Sequence, residues 1–212
     1  DYPFFIYLMT AIFPWQYFHR SVIEGTTSIL DNKHLVRETT FPRELLPLSV
    51  IAANIIIYLP SLIVMVVFLI GFGVGLTLWF LLLPLVIAMH TMFIIGLVLI
   101  TSCLEVRFRD TRYFVELLLF GIFYFTPVFY SLSLVERYCG YFLFKLYLAN
   151  PLVGILNLYR LCFLPDFLNV IPETISVLDL FVSPLLATVL FLTFGLVLFH
   201  KQKKYFSEYV SV

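Results

Sequence analysis

A stretch of sixty residues without a charged side chain dominates the pattern of this sequence. No Asp, Glu, Lys or Arg occurs from Leu45 to Leu104, and the charges return at once with Glu105 and Arg107. One helical crossing of a bilayer needs about 20 apolar residues. The stretch is therefore too long for one crossing and fits two, with a turn at the three glycines of segment 71–75.

Hydropathy and the positions of proline and glycine predict five transmembrane helices. Their predicted ranges are 3–30, 45–70, 76–104, 113–130 and 180–199. A helix satisfies all its backbone hydrogen bonds within one segment, which the hydrocarbon of a membrane requires. The predicted fold class is therefore all-α, a polytopic transmembrane helical bundle.

The composition agrees with a membrane protein and excludes a nucleic-acid partner. The chain is 62% hydrophobic, 18% aromatic and 12% charged, and its formal net charge is zero. No basic patch with interleaved aromatic residues occurs. The three cysteines lack metal-ligand spacing, and a disulfide between Cys139 and Cys162 outside the membrane is an alternative to small buried thiols.

Lys and Arg in the short loops predict the orientation, because cytoplasmic loops are enriched in these residues. With loop 31–44 inside, the inner side carries nine of them, namely Lys33, Arg37, Arg43, Arg107, Arg109, Arg112, Lys201, Lys203 and Lys204. The outer side carries three, Arg137, Lys145 and Arg160. The tail 200–212 then faces the cytoplasm. Residue 1 lies outside, which leads us to expect one more span before it.

The long connection between the fourth and fifth spans is too apolar for an aqueous loop and too short in each part to cross. Two short helices broken at Asn150-Pro151 would dip into the outer leaflet and return, as re-entrant helices. An amphipathic pair lying flat on the membrane surface is the alternative.

The sequence offers little for catalysis. It has no phosphate-binding loop, no zinc-protease motif, no nucleophile elbow and no metal-ligand cluster. His90 lies alone in the third predicted span, where a core histidine bonded to a neighbouring helix is favoured over a proton relay. We therefore expect that this chain is not an enzyme.

Arg20 and Glu24 lie four residues apart, close enough on one helix face to form an ion pair. Burial of either charge in lipid would cost about 2.5–3.5 kcal/mol, so both are expected to face protein or a polar path. Arg20 at the inner mouth of a conduit and an interfacial ion pair are both open interpretations. Pro14 is expected to bend this helix. Aromatic residues, Phe120 and Phe123 among them, cluster over 113–130 and suit either sugar contacts or helix packing.

Segment 31–38 reads as a short amphipathic helix on the inner side, which Phe41-Pro42-Arg43 ends. Leu35 and Val36 would pack against a partner. Such a helix between two spans can act as a lever, and the alternative is that it lies on lipid headgroups.

Several short motifs, in this order over almost the whole chain, carry a resemblance to a known family. They are Pro14-Trp15-x-x-Phe18, Ser28-Ile29-Leu30, Phe41-Pro42-Arg43-Glu44, Arg109-Asp110, Thr126-Pro127-x-x-Tyr130, and Asn150-Pro151 followed by Tyr159-Arg160. The chain resembles the membrane (permease) subunits of bacterial polysaccharide ABC exporters, the Wzm-like and teichoic-acid-exporting permeases.

The resemblance implies a subunit that moves a lipid-linked polysaccharide of O-antigen, teichoic-acid or capsule type across the bacterial cytoplasmic (inner) membrane. It implies six transmembrane helices per subunit, a homodimer enclosing a conduit, and two copies of a separate ABC ATPase subunit that bind ATP and Mg. No cofactor is expected in this chain. Family members begin with an interfacial helix and a first span, so 1–212 is expected to be a single transmembrane domain without them.

The resemblance also assigns roles to residues. Segment 31–40 would be the coupling helix, with the contact residues Asp31, Asn32, Lys33, His34, Leu35, Val36, Arg37, Phe41, Pro42 and Arg43. Segment 136–163 would be the outer re-entrant pair, with the gate residues Asn150, Pro151, Tyr159 and Arg160. The conduit residues would be Trp15, Phe18, Arg20, Glu24, Tyr124 and Tyr130.

Two other functions stay open from the sequence. An ABC exporter of a drug or small lipid keeps the same architecture with a different cargo. An ion-coupled carrier would require intramembrane ionisable groups, of which His90 is the one candidate within the two middle spans.

Overall fold

A computed structural model describes residues 4–37, 41–165, 167–172, 174–203 and 206. Within these ranges the chain folds into ten α-helices and one 3-10 helix (Leu78–Leu82), without a β-strand. The α-helices are α1 (Phe4–Asp31), α2 (Lys33–Arg37), α3 (Leu45–Gly71), α4 (Leu83–Arg107), α5 (Thr111–Tyr124), α6 (Leu132–Tyr138), α7 (Tyr141–Leu148), α8 (Pro151–Phe163), α9 (Phe167–Val170) and α10 (Val177–Gln202). The all-α class is confirmed. Residues 1–3, residues 38–40 and most of the predicted tail 200–212 lie outside the described residues.

In the described part of the chain, three segments are long and apolar enough to cross a membrane: α3, the 3-10 helix continued by α4, and α10. They match the predicted spans 45–70, 76–104 and 180–199. Helix α10 starts three residues early because Ser176 and Asp179 form a capping box, in which the Ser176 backbone N–H donates to Asp179 Oδ2 over 2.8 Å. The turn after α3 falls at the predicted glycines, and Gly73 there has a φ of +73°.

The other two predicted spans differ from the prediction. Helix α1 has 28 residues, but its polar side chains make it less apolar than the three candidate spans. The predicted helix over 113–130 extends too far, because α5 ends at Tyr124 and Pro127 cannot donate the backbone hydrogen bond that would continue it. At 14 residues α5 is shorter than the ~20 that a perpendicular crossing needs.

The predicted break at Asn150-Pro151 is present. Helices α7 and α8 are together long and apolar enough for a further crossing, but the chain bends by 79° between them. Asn150 caps α8, since its Oδ1 accepts the Leu152 N–H over 3.1 Å, and Pro151 occupies the first turn. Every residue of α8 from Leu152 to Phe163 is buried. Helix α8 is therefore a core helix, enclosed by α1, α4 and α10.

Glycines allow the central helices to approach closely. Helices α4 and α10 form the most extensively packed pair, and a Cβ on Gly96 would lie 2.6 Å from the backbone N of Leu192. A Cβ on Gly195 would lie 2.5 Å from the carbonyl oxygen of Gly96. Small residues at such crossings let helix backbones come into contact within a membrane.

The predicted inner-side charges lie on loop 31–44, at the end of α4 and at the end of α10. These three basic segments lie together at one end of the bundle, called the basic end. A small apolar cluster joins them, made of Ile29, Val36, Leu46, Leu99, Cys103, Val106, Phe199 and Phe206. The Arg43 guanidinium donates to the backbone oxygen of Lys203, and Lys203 Nζ lies 3.2 Å from Glu44 Oε1. Loop 41–44, the end of α4 and the end of α10 therefore occupy the same side, as the charge pattern predicts.

Cys139 and Cys162 are both free thiols, Cys162 buried and Cys139 half-buried. The alternative of a disulfide between them is not realised.

Candidate functional site

A groove of about 510 Å³ lies between α1 and α5. Two helical stripes line it, each with residues at positions i, i+3, i+4, i+7 and i+8. They are Ile12, Trp15, Gln16, His19 and Arg20 on α1, and Glu116, Leu119, Phe120, Phe123 and Tyr124 on α5. Because such spacing places side chains on one face of a helix, the two stripes face each other along the groove.

Aromatic rings form the wall of this α1–α5 groove. The Trp15 and Phe123 ring centroids are 5.1 Å apart, which joins the two helices. Phe120 and Tyr124 meet edge to face at 5.3 Å, and both side chains remain more than half exposed. Rings held in this way present apolar faces beside polar groups, an arrangement that suits the flat faces and hydroxyls of sugars.

Arg20 supplies positive charge at the groove. Its Nε donates to Glu24 Oε1 over 2.8 Å, which confirms the predicted ion pair, and both side chains are about half exposed, 52% and 45%. Asn54 on α3 donates to the other carboxylate oxygen, Glu24 Oε2, also over 2.8 Å. The carboxylate therefore holds the guanidinium in place from one side. The terminal amino groups of Arg20 make no hydrogen bond within the described part of the chain, and they can donate to an anionic oxygen.

The structure brings three of the six predicted conduit residues, Trp15, Arg20 and Tyr124, into the groove. Phe18 lies on another face of α1, fully buried and stacked against Phe93 at 6.0 Å. Glu24 holds Arg20 from outside the lining. Sequence reasoning missed Gln16, His19 and Glu116, although the i, i+3, i+4 stripe on both helices is the signal that identifies them.

Tyr130, the last predicted conduit residue, stabilises the non-helical segment after α5. Its hydroxyl donates to the Tyr124 carbonyl over 2.9 Å, and the Tyr7 hydroxyl donates to the Tyr130 carbonyl over 3.1 Å. Arg160 donates from Nη2 to the Val128 carbonyl over 3.0 Å, and its guanidinium carbon lies 3.9 Å from the Tyr7 ring centroid. The segment that follows the groove is thus held by α1 and α8.

The predicted gate residues occupy two different places. Asn150 and Pro151 start α8, whereas Tyr159 and Arg160 are fully buried near its other end. The Tyr159 hydroxyl lies 3.4 Å from His90 Nδ1, so His90 contacts a neighbouring helix as predicted.

The predicted coupling segment is partly built into the chain's own core. Asp31, Lys33 and His34 are exposed, and Asn32 Nδ2 donates to the Ser28 carbonyl over 2.9 Å at the end of α1. Val36 is fully buried in the apolar cluster at this end. The expectation that Val36 packs against a partner is therefore wrong, because its side chain already contacts the chain itself. Leu35 is half-buried and packs partly against the same cluster.

Loop 41–44 is fixed to the end of α10. Phe41 packs partly against the same cluster, and Pro42 accepts the Leu45 N–H over 3.0 Å. A hydrogen bond from its own backbone N–H, together with Lys203, holds the pKa of Glu44 below its ordinary value. No group of three His, Cys, Asp or Glu side chains that could hold a metal ion occurs in the described ranges.

Known proteins similar to this chain are permeases. The O-antigen export system permease protein RfbA of Klebsiella pneumoniae is 31% identical over 204 residues, which are 96% of this chain and 74% of that protein. A second protein of that name from the same species is 29% identical over the same lengths. The protein of that name from Myxococcus xanthus is 33% identical over 171 residues, 78% of this chain and 64% of its own. No protein-family model matches the chain.

The first of these similarities covers 96% of this chain at 31% identity. The chain belongs to the family of O-antigen export system permeases.

Proposed function

We propose that this chain is the membrane-spanning subunit of an ATP-driven exporter that moves a lipid-linked polysaccharide across the bacterial cytoplasmic membrane. The observation that carries the proposal is the α1–α5 groove, where aromatic faces and Arg20 line one wall in a member of this permease family. Among O-antigen, teichoic acid and capsule, the names of the relatives favour O-antigen as the cargo class.

The groove is one half of the conduit in this proposal, and a second copy of the subunit supplies the other half. The exposed rings of Phe120 and Tyr124 give sugars contact area without deep pockets, so successive residues of a chain can slide past. Arg20 attracts the phosphate of the lipid carrier. This polar and aromatic lining favours a glycan over an apolar drug.

In this proposal a partner ATPase moves the basic end of the bundle. A separate ATPase subunit, present in two copies, binds ATP and Mg and contacts the exposed side chains of Asp31, Lys33 and His34. Helix α1 runs without interruption from this end to the groove, so a displacement of α2 reaches Arg20 and Trp15 directly. The Arg43 bond to the backbone of Lys203 passes the same displacement to α10.

The shared side of the basic segments supports an orientation in which the end of α10 faces the cytoplasm. In this proposal the chain supplies five spans, of which α1 and α5 border the conduit. Helices α7 and α8 form the outer re-entrant pair that closes the conduit. Cysteines placed at Lys33 and Lys203 should both be labelled from the cytoplasmic side.

Deletion of the gene, followed by complementation, tests the proposal. Loss of the chain should abolish surface polysaccharide and leave lipid-linked glycan inside the cell. The double variant Phe120→Ala, Tyr124→Ala should lower export about tenfold, since two aromatic contacts are lost. The control Phe194→Ala removes an exposed ring of α10 outside the groove and should export normally. Normal surface polysaccharide in the deletion strain would refute the proposal.

A further inference from the structure

A second groove, of about 640 Å³, lies between α7 and α10 and shares no lining residue with the α1–α5 groove. Its lining changes along α10. Asp179, Lys145 and Thr174 line the end where α10 begins, and Leu186 and Leu190 line the part farther along the helix. One end is therefore charged and the rest is apolar.

The charged end carries both signs in fixed positions. Asp179 Oδ2 accepts hydrogen bonds from the backbone N–H and the hydroxyl of Ser176, over 2.8 and 2.9 Å, and the side chain remains exposed. Lys145 Nζ lies 4.7 Å from the Tyr141 ring centroid, also exposed. A carboxylate beside an ammonium group complements a headgroup that carries an amine and a phosphate.

The length of the groove along α10 matches the hydrocarbon thickness of one leaflet. From Asp179 to Leu190 a helix rises about 16 Å at 1.5 Å per residue. Half of a hydrocarbon core is about 15 Å thick. The apolar side chains along this length, Val182, Leu186 and Leu190, are 51%, 65% and 61% exposed. An acyl chain that lies along α10 would cover all three of these exposed side chains.

Specific contacts hold the groove in shape. The Ser183 hydroxyl donates to the Ala149 carbonyl over 2.9 Å, which ties α10 to the break between α7 and α8. Phe144 forms the floor and is 2% exposed. Thr174 at the rim donates to the Glu136 carboxylate on α6. The groove is thus preformed, so binding of a ligand would lose little conformational entropy in the groove side chains.

We propose that the α7–α10 groove binds one zwitterionic phospholipid of the surrounding leaflet. Lys145 contacts its phosphate, Asp179 contacts its headgroup amine, and one acyl chain follows α10 to Leu190. The site is separate from the path of the polysaccharide. Binding to it requires neither ATP nor the ATPase subunit.

Native mass spectrometry of the purified full-length subunit in mild detergent tests this site. After delipidation, phosphatidylethanolamine or phosphatidylglycerol is added back and the bound lipid counted. Leu186→Trp fills the groove, and its control is Leu185→Trp, a 55% exposed neighbour outside the lining. Lys145→Gln removes the phosphate contact, and its control is Arg137→Gln on α6.

We expect one phosphatidylethanolamine per chain in the unaltered protein and in both controls. Retention should fall about tenfold in Leu186→Trp and in Lys145→Gln. Equal retention in Leu186→Trp and Leu185→Trp would overturn the site, and equal retention of the two lipids would overturn the headgroup assignment. Dissociation of a dimer by Leu186→Trp, with lipid binding unchanged, would show that the groove is a protein interface instead.

Discussion

Substitution of Gly96 by alanine tests whether the close contact of α4 and α10 stabilises the bundle. The added Cβ would lie 2.6 Å from the Leu192 nitrogen and from the Phe191 carbonyl carbon. These are backbone atoms of a facing helix, which cannot rotate away as a side chain can. Since an ordinary contact is about 3.4 Å or longer, the helices must separate by almost 1 Å, which weakens dispersion contacts along the whole crossing.

Overpacking of this kind costs about 1–3 kcal/mol of unfolding free energy. For a chain of this size, each kcal/mol corresponds to roughly 2–4 °C in the melting temperature. Because Gly96→Ala and Gly121→Ala both gain the helix propensity of alanine, Gly96→Ala should melt about 2–12 °C lower than Gly121→Ala, as followed by intrinsic fluorescence in detergent. Gly195→Ala should behave in the same way, because its Cβ would meet the Gly96 carbonyl oxygen at 2.5 Å.

The matched control is Gly121→Ala in α5, where an added Cβ has no neighbour within 4 Å. Alanine has a better helix propensity than glycine by about 1 kcal/mol, so this variant should melt at the same temperature or higher. If Gly96→Ala melted at the same temperature as Gly121→Ala, the close contact of α4 with α10 would not be what makes alanine destabilising at position 96.

Two further predictions concern the basic end of the bundle. Val36→Asp should destabilise the protein by about 3 kcal/mol or more in denaturant unfolding, because it buries a charge in the apolar cluster, whereas Lys33→Asp on the exposed face of α2 should change stability little. Glu44 has a lowered pKa in the folded chain, so its contribution is complete above its ordinary pKa and is lost as the pH falls through the lowered one. Melting curves of Glu44→Gln should therefore depend less on acidic pH than those of the unaltered protein, and equal slopes would show that the pKa of Glu44 is not lowered in the folded chain.

The long spans could be predicted because each crossing of a membrane requires about 20 consecutive apolar residues, and such a run is visible in the local sequence. The sequence predicts a second span over 45–70, and α3 runs from Leu45 to Gly71. The end of α5 was harder to predict, because the rings of segment 125–130 are as apolar as those before it. Pro127 was the local signal for the earlier end.

The position of α8 depends on contacts that no local pattern encodes. The motif Tyr159-Arg160 was expected at an outer gate, but Arg160 is buried and donates to the Val128 carbonyl, 32 residues earlier in the chain. The sequence assigns Val36 to a partner because it lies on the apolar side of a short amphipathic helix between two spans. Its neighbours in the cluster come from α1, α3, α4 and α10, so only the fold reveals that it is already covered.

Three of the six residues predicted for the conduit lie together in one groove, for a similar reason. Trp15, Arg20 and Tyr124 were chosen for their chemistry, and all three line the groove. Phe18 has the same aromatic chemistry as Trp15 but lies three residues away on a face that packs against α4. Tertiary packing decides which face of α1 contacts α5. That face can be recognised only together with the stripe of residues on α5 that lies opposite.

The most direct test of the α1–α5 groove as the wall of the export path places a photoactivatable amino acid at Phe120 in cells that contain the ATPase subunit and make the polysaccharide. We expect a light-dependent adduct of the subunit with glycan from this position. We expect no glycan adduct from the same probe at Phe194, an exposed position on α10. Glycan adducts at neither position, or equally at both, would contradict the assignment of the α1–α5 groove as the wall of the export path.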